Sequence, residues 1–163
     1  MKKTILFLLC PVMLFLLCAC TGNEPKGAET DGYDFSVQYI RTNGERSDTE
    51  YPATVLICSH ADLEEYIRQN GDCYDLRELI PAAEKYTEEW FNGGHVLLMV
   101  LMIEPSGSIR HEVTCLTRDT VTVNRLVPES GTDDMAEWHI LIEADVEWEI
   151  SENFRIVVTE NMP

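Results

Sequence analysis

The chain has 163 residues, a formal net charge of −17 and 45% apolar residues. That length suits one domain with a core and does not reach several. So acidic a chain repels nucleic-acid phosphates and anionic lipid headgroups, which excludes nucleic acid as a partner and a polybasic patch as a route to a membrane. Its acidity reads first as a device for solubility, with attraction for cations or a basic partner as the alternative.

The chain opens with Lys2 and Lys3, followed by an almost unbroken apolar run from Thr4 to Leu17. The run is shorter than the ~20 residues that a membrane-spanning helix needs. Its charged-then-apolar order is that of a signal peptide. It ends in Leu17-Cys18-Ala19-Cys20, which resembles the lipobox of bacterial lipoproteins. The resemblance implies cleavage before Cys20 by signal peptidase II, a lipid on the Cys20 sulfur, and the extracytoplasmic face of the membrane as the location. Residues 1–19 are then signal and residues 20–32 anchor and tether, with one globular domain over 33–163. The membrane is a partner through the lipid on Cys20, and two acyl chains suffice for stable anchoring. Loss of the two leader lysines leaves the mature chain near −19. Thr21 to Gly32 holds no large apolar residue, so it cannot bury enough to offset its ordering entropy. As a flexible coil it spans about 20 Å.

Phe35 to Arg41 alternates apolar and polar residues and predicts a half-buried strand. Asn43-Gly44 marks a turn, and a second strand follows over Thr54–Cys58. Ser59 and Asp62 stand in the relation of a capping box. They open a helix whose buried stripe is Leu63, Tyr66 and Ile67 and whose stop is Asn70-Gly71. A second helix is expected over Pro81–Phe91, with Ala83, Tyr86 and Trp90 on one side. The Leu76–Ile80 turn before it reads as a short helix of its own.

From His95 the period changes. Val96 to Ile103 is apolar on both faces, the mark of a central strand covered on both sides. Ile109–Leu116 and Thr120–Val127 form the next two strands. Pro128 to Glu137 is an acidic loop, and Trp138–Ala144 and Phe154–Thr159 are the last two strands. The expected class is α+β: a mostly antiparallel sheet of about six to seven strands, curled or split, packed against one or two helices.

Three cysteines remain in the mature part. Cys58 and Cys115 sit in apolar surroundings and read, with Cys73, as buried free thiols. One disulfide with one free thiol is the alternative. No C-x-x-C pair occurs there, which weighs against structural zinc and thioredoxin-type chemistry.

Two segments concentrate reactive side chains: Ser106-Gly107-Ser108-Ile109-Arg110-His111 and Gly131-Thr132-Asp133-Asp134-Met135-Ala136-Glu137-Trp138-His139. A zinc site on His111, His139 and an acid conflicts with strand parity, which sends the two histidines to opposite sides of a shared sheet. Calcium on Glu129, Asp133, Asp134 and Glu137 lacks the spacing of an EF-hand. No metal and no cofactor is therefore assigned. Ser106 or Ser108 with His111 and Asp133 supplies the residue types of an acyl-transfer triad, without a nucleophile elbow. The preferred reading is a polar brace. Arg110 pairs with Asp134 or Glu137, His111 bonds a loop carbonyl, and Gly107 turns the chain at a positive φ, which fixes the acidic loop against the neighbouring hairpin. Trp138 and His139 complete this candidate binding region.

Gly107-Ser108-Ile109-Arg110-His111 and Asp134-Met135-Ala136-Glu137-Trp138-His139 also resemble a family of uncharacterised small lipoproteins from Gram-positive gut bacteria, over Tyr39–Thr159. That family lends a shape and no reaction. A more distant similarity is to the C-terminal domain of a family of protease-complex lipoproteins. It is carried by the apolar strand Val96–Ile103, the Ser106-Gly107-Ser108 turn and the Pro128–Glu137 loop, with Ser-Gly-Ser-Ile in place of that domain's Thr-Gly-Gly-Tyr. It implies a non-catalytic accessory role. The expectation is a membrane-anchored binding or accessory module with a protein or peptide partner. The alternative is a hydrolase acting on a peptide or envelope polymer.

Overall fold

The computed structural model describes residues 32–42, 44, 48–145, 151 and 153–161. The leader, the lipobox cysteine and nearly all of the tether lie outside them. The described residues belong to one unit, Asp31–Pro163, of class α+β. Its elements in chain order are strands β1 (Ser36–Thr42) and β2 (Ala53–Ile57), helices α1 (His60–Asn70), α2 (Leu79–Ala83) and α3 (Glu88–Asn92), then strands β3 (His95–Glu104), β4 (Arg110–Leu116), β5 (Thr120–Leu126), β6 (Ala136–Asp145) and β7 (Arg155–Asn161).

The strands form two sheets, as a split sheet requires. A four-stranded sheet has the order β1-β6-β3-β2, and a three-stranded sheet the order β4-β5-β7. All pairings are antiparallel except β5 with β7, which run parallel. The parallel pair follows from the path of the chain: β6 lies in the other sheet, so β7 returns to β5 from the far end.

Period-two alternation along β3 and β6 builds the three layers. Val96, Leu98, Val100 and Met102 of β3, with Ala136, Trp138, Ile140 and Ile142 of β6, face the three-stranded sheet and pack on Val113, Leu116, Val121 and Val123. Leu97 and Met99, with Leu141, face the other way and pack under the helices against Leu63, Tyr66, Leu79, Tyr86 and Phe91. Both faces of β3 are thus covered, which is why it reads as a continuous apolar run. Each fully buried Leu or Ile contributes roughly 1.5–3 kcal/mol through burial.

α1 starts where its capping residues place it. The Ser59 hydroxyl accepts from the Asp62 amide at 3.1 Å, and Leu63 and Tyr66 are buried. The helix expected over 81–91 is instead two short helices. After Ala83 the chain leaves the helical path so that Tyr86, fully buried, reaches the Glu143 carboxylate of β6 at 3.0 Å. Thr87 then caps a new helix by accepting from the Trp90 amide. Two polar side-chain bonds outweigh continuity of one helix.

The three cysteines are free, as expected, but they are not buried. Cys58 and Cys73 are exposed and Cys115 is half-buried. Cys58 falls just past the end of β2, so its apolar neighbours in sequence do not carry it into the core.

Candidate functional site

The two reactive segments do meet, at the end of the sandwich where β3 finishes, β4 starts and β6 starts. Residues 106–109 form a turn closed by the Ile109 amide on the Ser106 carbonyl at 3.3 Å. Ser106 Oγ accepts from the Thr132 amide at 2.9 Å and lies 2.7 Å from Ser108 Oγ. Ser108 Oγ accepts from the same Thr132 amide at 3.2 Å. The Gly107 amide donates to Asp134 Oδ1 at 3.2 Å, and Arg41 Nη2 donates to Asp134 Oδ2 at 2.6 Å. The loop is therefore pinned by hydroxyls and one carboxylate.

The partners differ from those the sequence suggested. Asp134 pairs with Arg41 of β1. Arg110 donates to the Gly107 carbonyl at 2.7 Å and the Ile109 carbonyl at 3.3 Å, and its guanidinium lies 5.4 Å from the Trp138 ring centre. Arg41 claims the acid because β1 ends beside β6, with Thr42 opposite Glu137. Gly107 has no positive φ. Its missing side chain is what counts, since a Cβ there would come within 2.5 Å of Asp134 Oδ2 and 2.7 Å of Arg41 Nη2. Hydrogen bonds, led by those from Thr132 and Arg41, hold the Asp134 carboxyl down at about 2. Asp133, beside it, is exposed.

His111 points inward and bonds a carboxylate, where a loop carbonyl was expected. Its Nε2 donates to Glu104 Oε1 at 2.8 Å, and both side chains are buried, at 0% and 1% exposure. Arg125 joins them from β5, with Nε 2.9 Å from Oε1 and Nη2 2.5 Å from Oε2 of Glu104. Its Nη1 continues to Glu160 of β7 at 2.7 Å. Burial would raise the Glu104 carboxyl, but hydrogen bonds from His111 and Arg125 outweigh it and hold it below the ordinary carboxylate range. Among the described residues His111 Nδ1 has no hydrogen-bond partner; its ring meets Trp138 edge-on at 5.4 Å.

His139 lies on the other face of β6, under the helices. Its Nδ1 is 2.9 Å from Thr42 Oγ1 and its Nε2 is 2.7 Å from Tyr66 OH. Tyr74 packs edge-on to the ring at 5.0 Å. Burial lowers its pKa to about 4, so the ring is neutral. Glu137 shares this face. It accepts from Tyr51 OH, which also lies 2.9 Å from Tyr74 OH. The two histidines do point apart, but from different sheets and not from a shared one: His111 on β4 belongs to the core between the sheets and His139 on β6 to the core under the helices. The serines bond each other and Thr132, and His111 bonds Glu104. No hydrogen bond joins Ser106 or Ser108 to His111 among the described residues.

Sequence reasoning missed Glu104, Arg125 and Arg41. Two of them carried a signal. Arg125 has the inward parity of Val121 and Val123, and Glu104 that of Val100 and Met102. A charge at an inward position announces a buried partner. Beside this pair a groove of about 280 Å³ opens between the sheets, lined by Tyr51, Pro52, Met102, Pro105, Arg125 and Val158 among others. Comparison of the chain with family models, with curated proteins and with solved structures finds no match.

Proposed function

We propose that the protein is a lipid-anchored binding module of the extracytoplasmic membrane face, recognising a protein or peptide partner. The observation that carries this reading is Leu17-Cys18-Ala19-Cys20 behind a charged and apolar leader and ahead of a polar tether. Two features of the domain support it. Tyr33, ahead of β1, lies beside Leu116, whose carbonyl accepts from the Tyr33 amide at 2.8 Å. The pinned loops lie at the opposite end of β4, remote from Tyr33. There, the reactive side chains are spent on fixing loops, which suits a preformed recognition rim.

The test is Cys20→Ala in the native host with a palmitate analogue. The variant should lose the label and leave the membrane fraction while keeping the melting temperature of the domain, since Thr21 to Gly32 holds no large apolar residue in sequence. Label retained on the variant would overturn the anchoring, and a variant that no longer folds would overturn the separation of tether and domain.

A further inference from the structure

Among the described residues four strands lie at sheet edges: β1 and β2 in one sheet, β4 and β7 in the other. An open edge is a template for another chain, and proteins blunt it with short strands, proline, bulges or inward charges. Three of these edges are guarded. β2 has only five residues and follows Pro52. β4 carries a register shift between Val113 and Cys115, which bends and twists a strand. β1 faces β4, and its Tyr39 hydroxyl accepts from the Val113 amide at 2.9 Å, closing that side of the sandwich.

Among the described residues β7 has no such guard. It runs seven residues, Arg-Ile-Val-Val-Thr-Glu-Asn, with no proline and an unbroken register to β5. Its one inward charge, Glu160, is paired with Arg125, which Glu104 shares. Val157 and Val158 are 40% and 39% exposed. They stand on opposite faces, because Val158 lies opposite the buried Val123. Among the described residues β5 is its only strand partner. Val158 also lines the groove between the sheets, alongside Met102 and Pro105.

We propose that β7 is the docking edge for an extended, cationic segment of a partner protein, which adds to the three-stranded sheet as a fourth strand. Main-chain hydrogen bonds to β7 supply the binding, and alternate side chains of the added strand enter the groove beside Val158. Charge selects the partner. The chain is at −17, so a second copy is repelled. Around the groove and the edge the acids Glu50, Glu104 and Glu160 number three against the two cations Arg125 and Arg155, with Glu50 exposed beside Tyr51. This rests on the reading of the protein as a binding module and not on the lipid.

The experiment uses the full chain in detergent, with hydrogen exchange followed by mass spectrometry. The probes are two short peptides, one of alternating lysine and valine and one of alternating glutamate and valine. The lysine peptide should slow exchange of the β7 amides and the glutamate peptide should not. Val157→Lys, at an exposed outward position, should weaken the lysine peptide at least about tenfold by charge and edge blocking, while Val157→Thr keeps it. Three outcomes overturn the proposal. Protection by the lysine peptide confined to other elements removes the edge while leaving the binding-module reading in place. Concentration-dependent protection of β7 without peptide makes the partner a second copy. No protection of β7 by either peptide removes the proposal outright.

Discussion

His139 is a neutral histidine enclosed by Thr42, Tyr66 and Tyr74, and this gives the protein a defined acid response. Above its ordinary value of 6.5 the ring is neutral in the folded and unfolded chain alike. Below that, the unfolded chain takes up a proton that the folded chain refuses down to about 4. Stability should therefore fall as pH drops from about 6.5 to 4, by up to ~3 kcal/mol. Asp134, held at about 2, loses its contribution only at lower pH, so the upper part of this window belongs to His139. Chemical denaturation at successive pH values should show the slope, and His139→Gln should flatten it. A second contrast separates the two polar clusters. Glu104→Ala leaves the buried His111 ring without its acceptor and Arg125 without its buried counter-charge, and should cost about 3–5 kcal/mol. Arg110→Ala removes an exposed cation from backbone carbonyls and from the face of Trp138, and should cost no more than about 1 kcal/mol. Equal melting temperatures for the two variants would contradict the burial of the Glu104 pair.

The elements with a strong period were legible in the sequence, and those fixed by tertiary bonds were not. β3 could be read from Val96 to Ile103 because both its faces are buried. α1 could be read from Ser59 and Asp62 because a cap is a local device. The break between α2 and α3 was hidden, since it depends on Glu143, which lies far along the chain from Tyr86. The pairing of Asp134 with Arg41 was hidden for the same reason: no local pattern tells an acidic loop which of several arginines ends beside it. The meeting of 106–111 with 131–139 was legible, while the chemistry of the contact was not, because hydroxyls carry most of it. Gly107 offers a direct test. Gly107→Ala places a methyl group between Asp134 and Arg41, so the 131–134 loop should exchange its amides faster, with little change in the core. Ser59→Ala, by contrast, should cost about 1 kcal/mol through loss of the α1 cap alone, read as a lower denaturation midpoint with an unchanged slope.

At the scale of the molecule, β6 and β3 form a shared wall between two cores. Neighbouring side chains on β6 serve opposite sides: Trp138 the core between the sheets, His139 the core under the helices. Neither core can open without moving this pair of strands. The amides of β3 and β6 should therefore exchange only through global unfolding, while β7, exposed along most of its length, should open at lower free energy. A large-to-small change in either core, such as Ile140→Ala or Leu141→Ala, should cost about 2–5 kcal/mol. Both should lower a single cooperative transition rather than split it in two. Separate melting of the helical layer would show that the wall does not couple the cores.

Among the described residues β1 pairs with β6 alone, Ser36 lying opposite Glu143. The strand made first thus has no seat until almost the whole chain has been synthesised. Closing so long a loop is slow and offers no contact until it is complete. Until β6 arrives β1 has no strand beside it, so the nascent chain carries this apolar segment unpaired through most of its assembly. Chains truncated before Ala136 should remain unfolded and bind chaperones, whereas those extended past Asp145 should acquire the native wall.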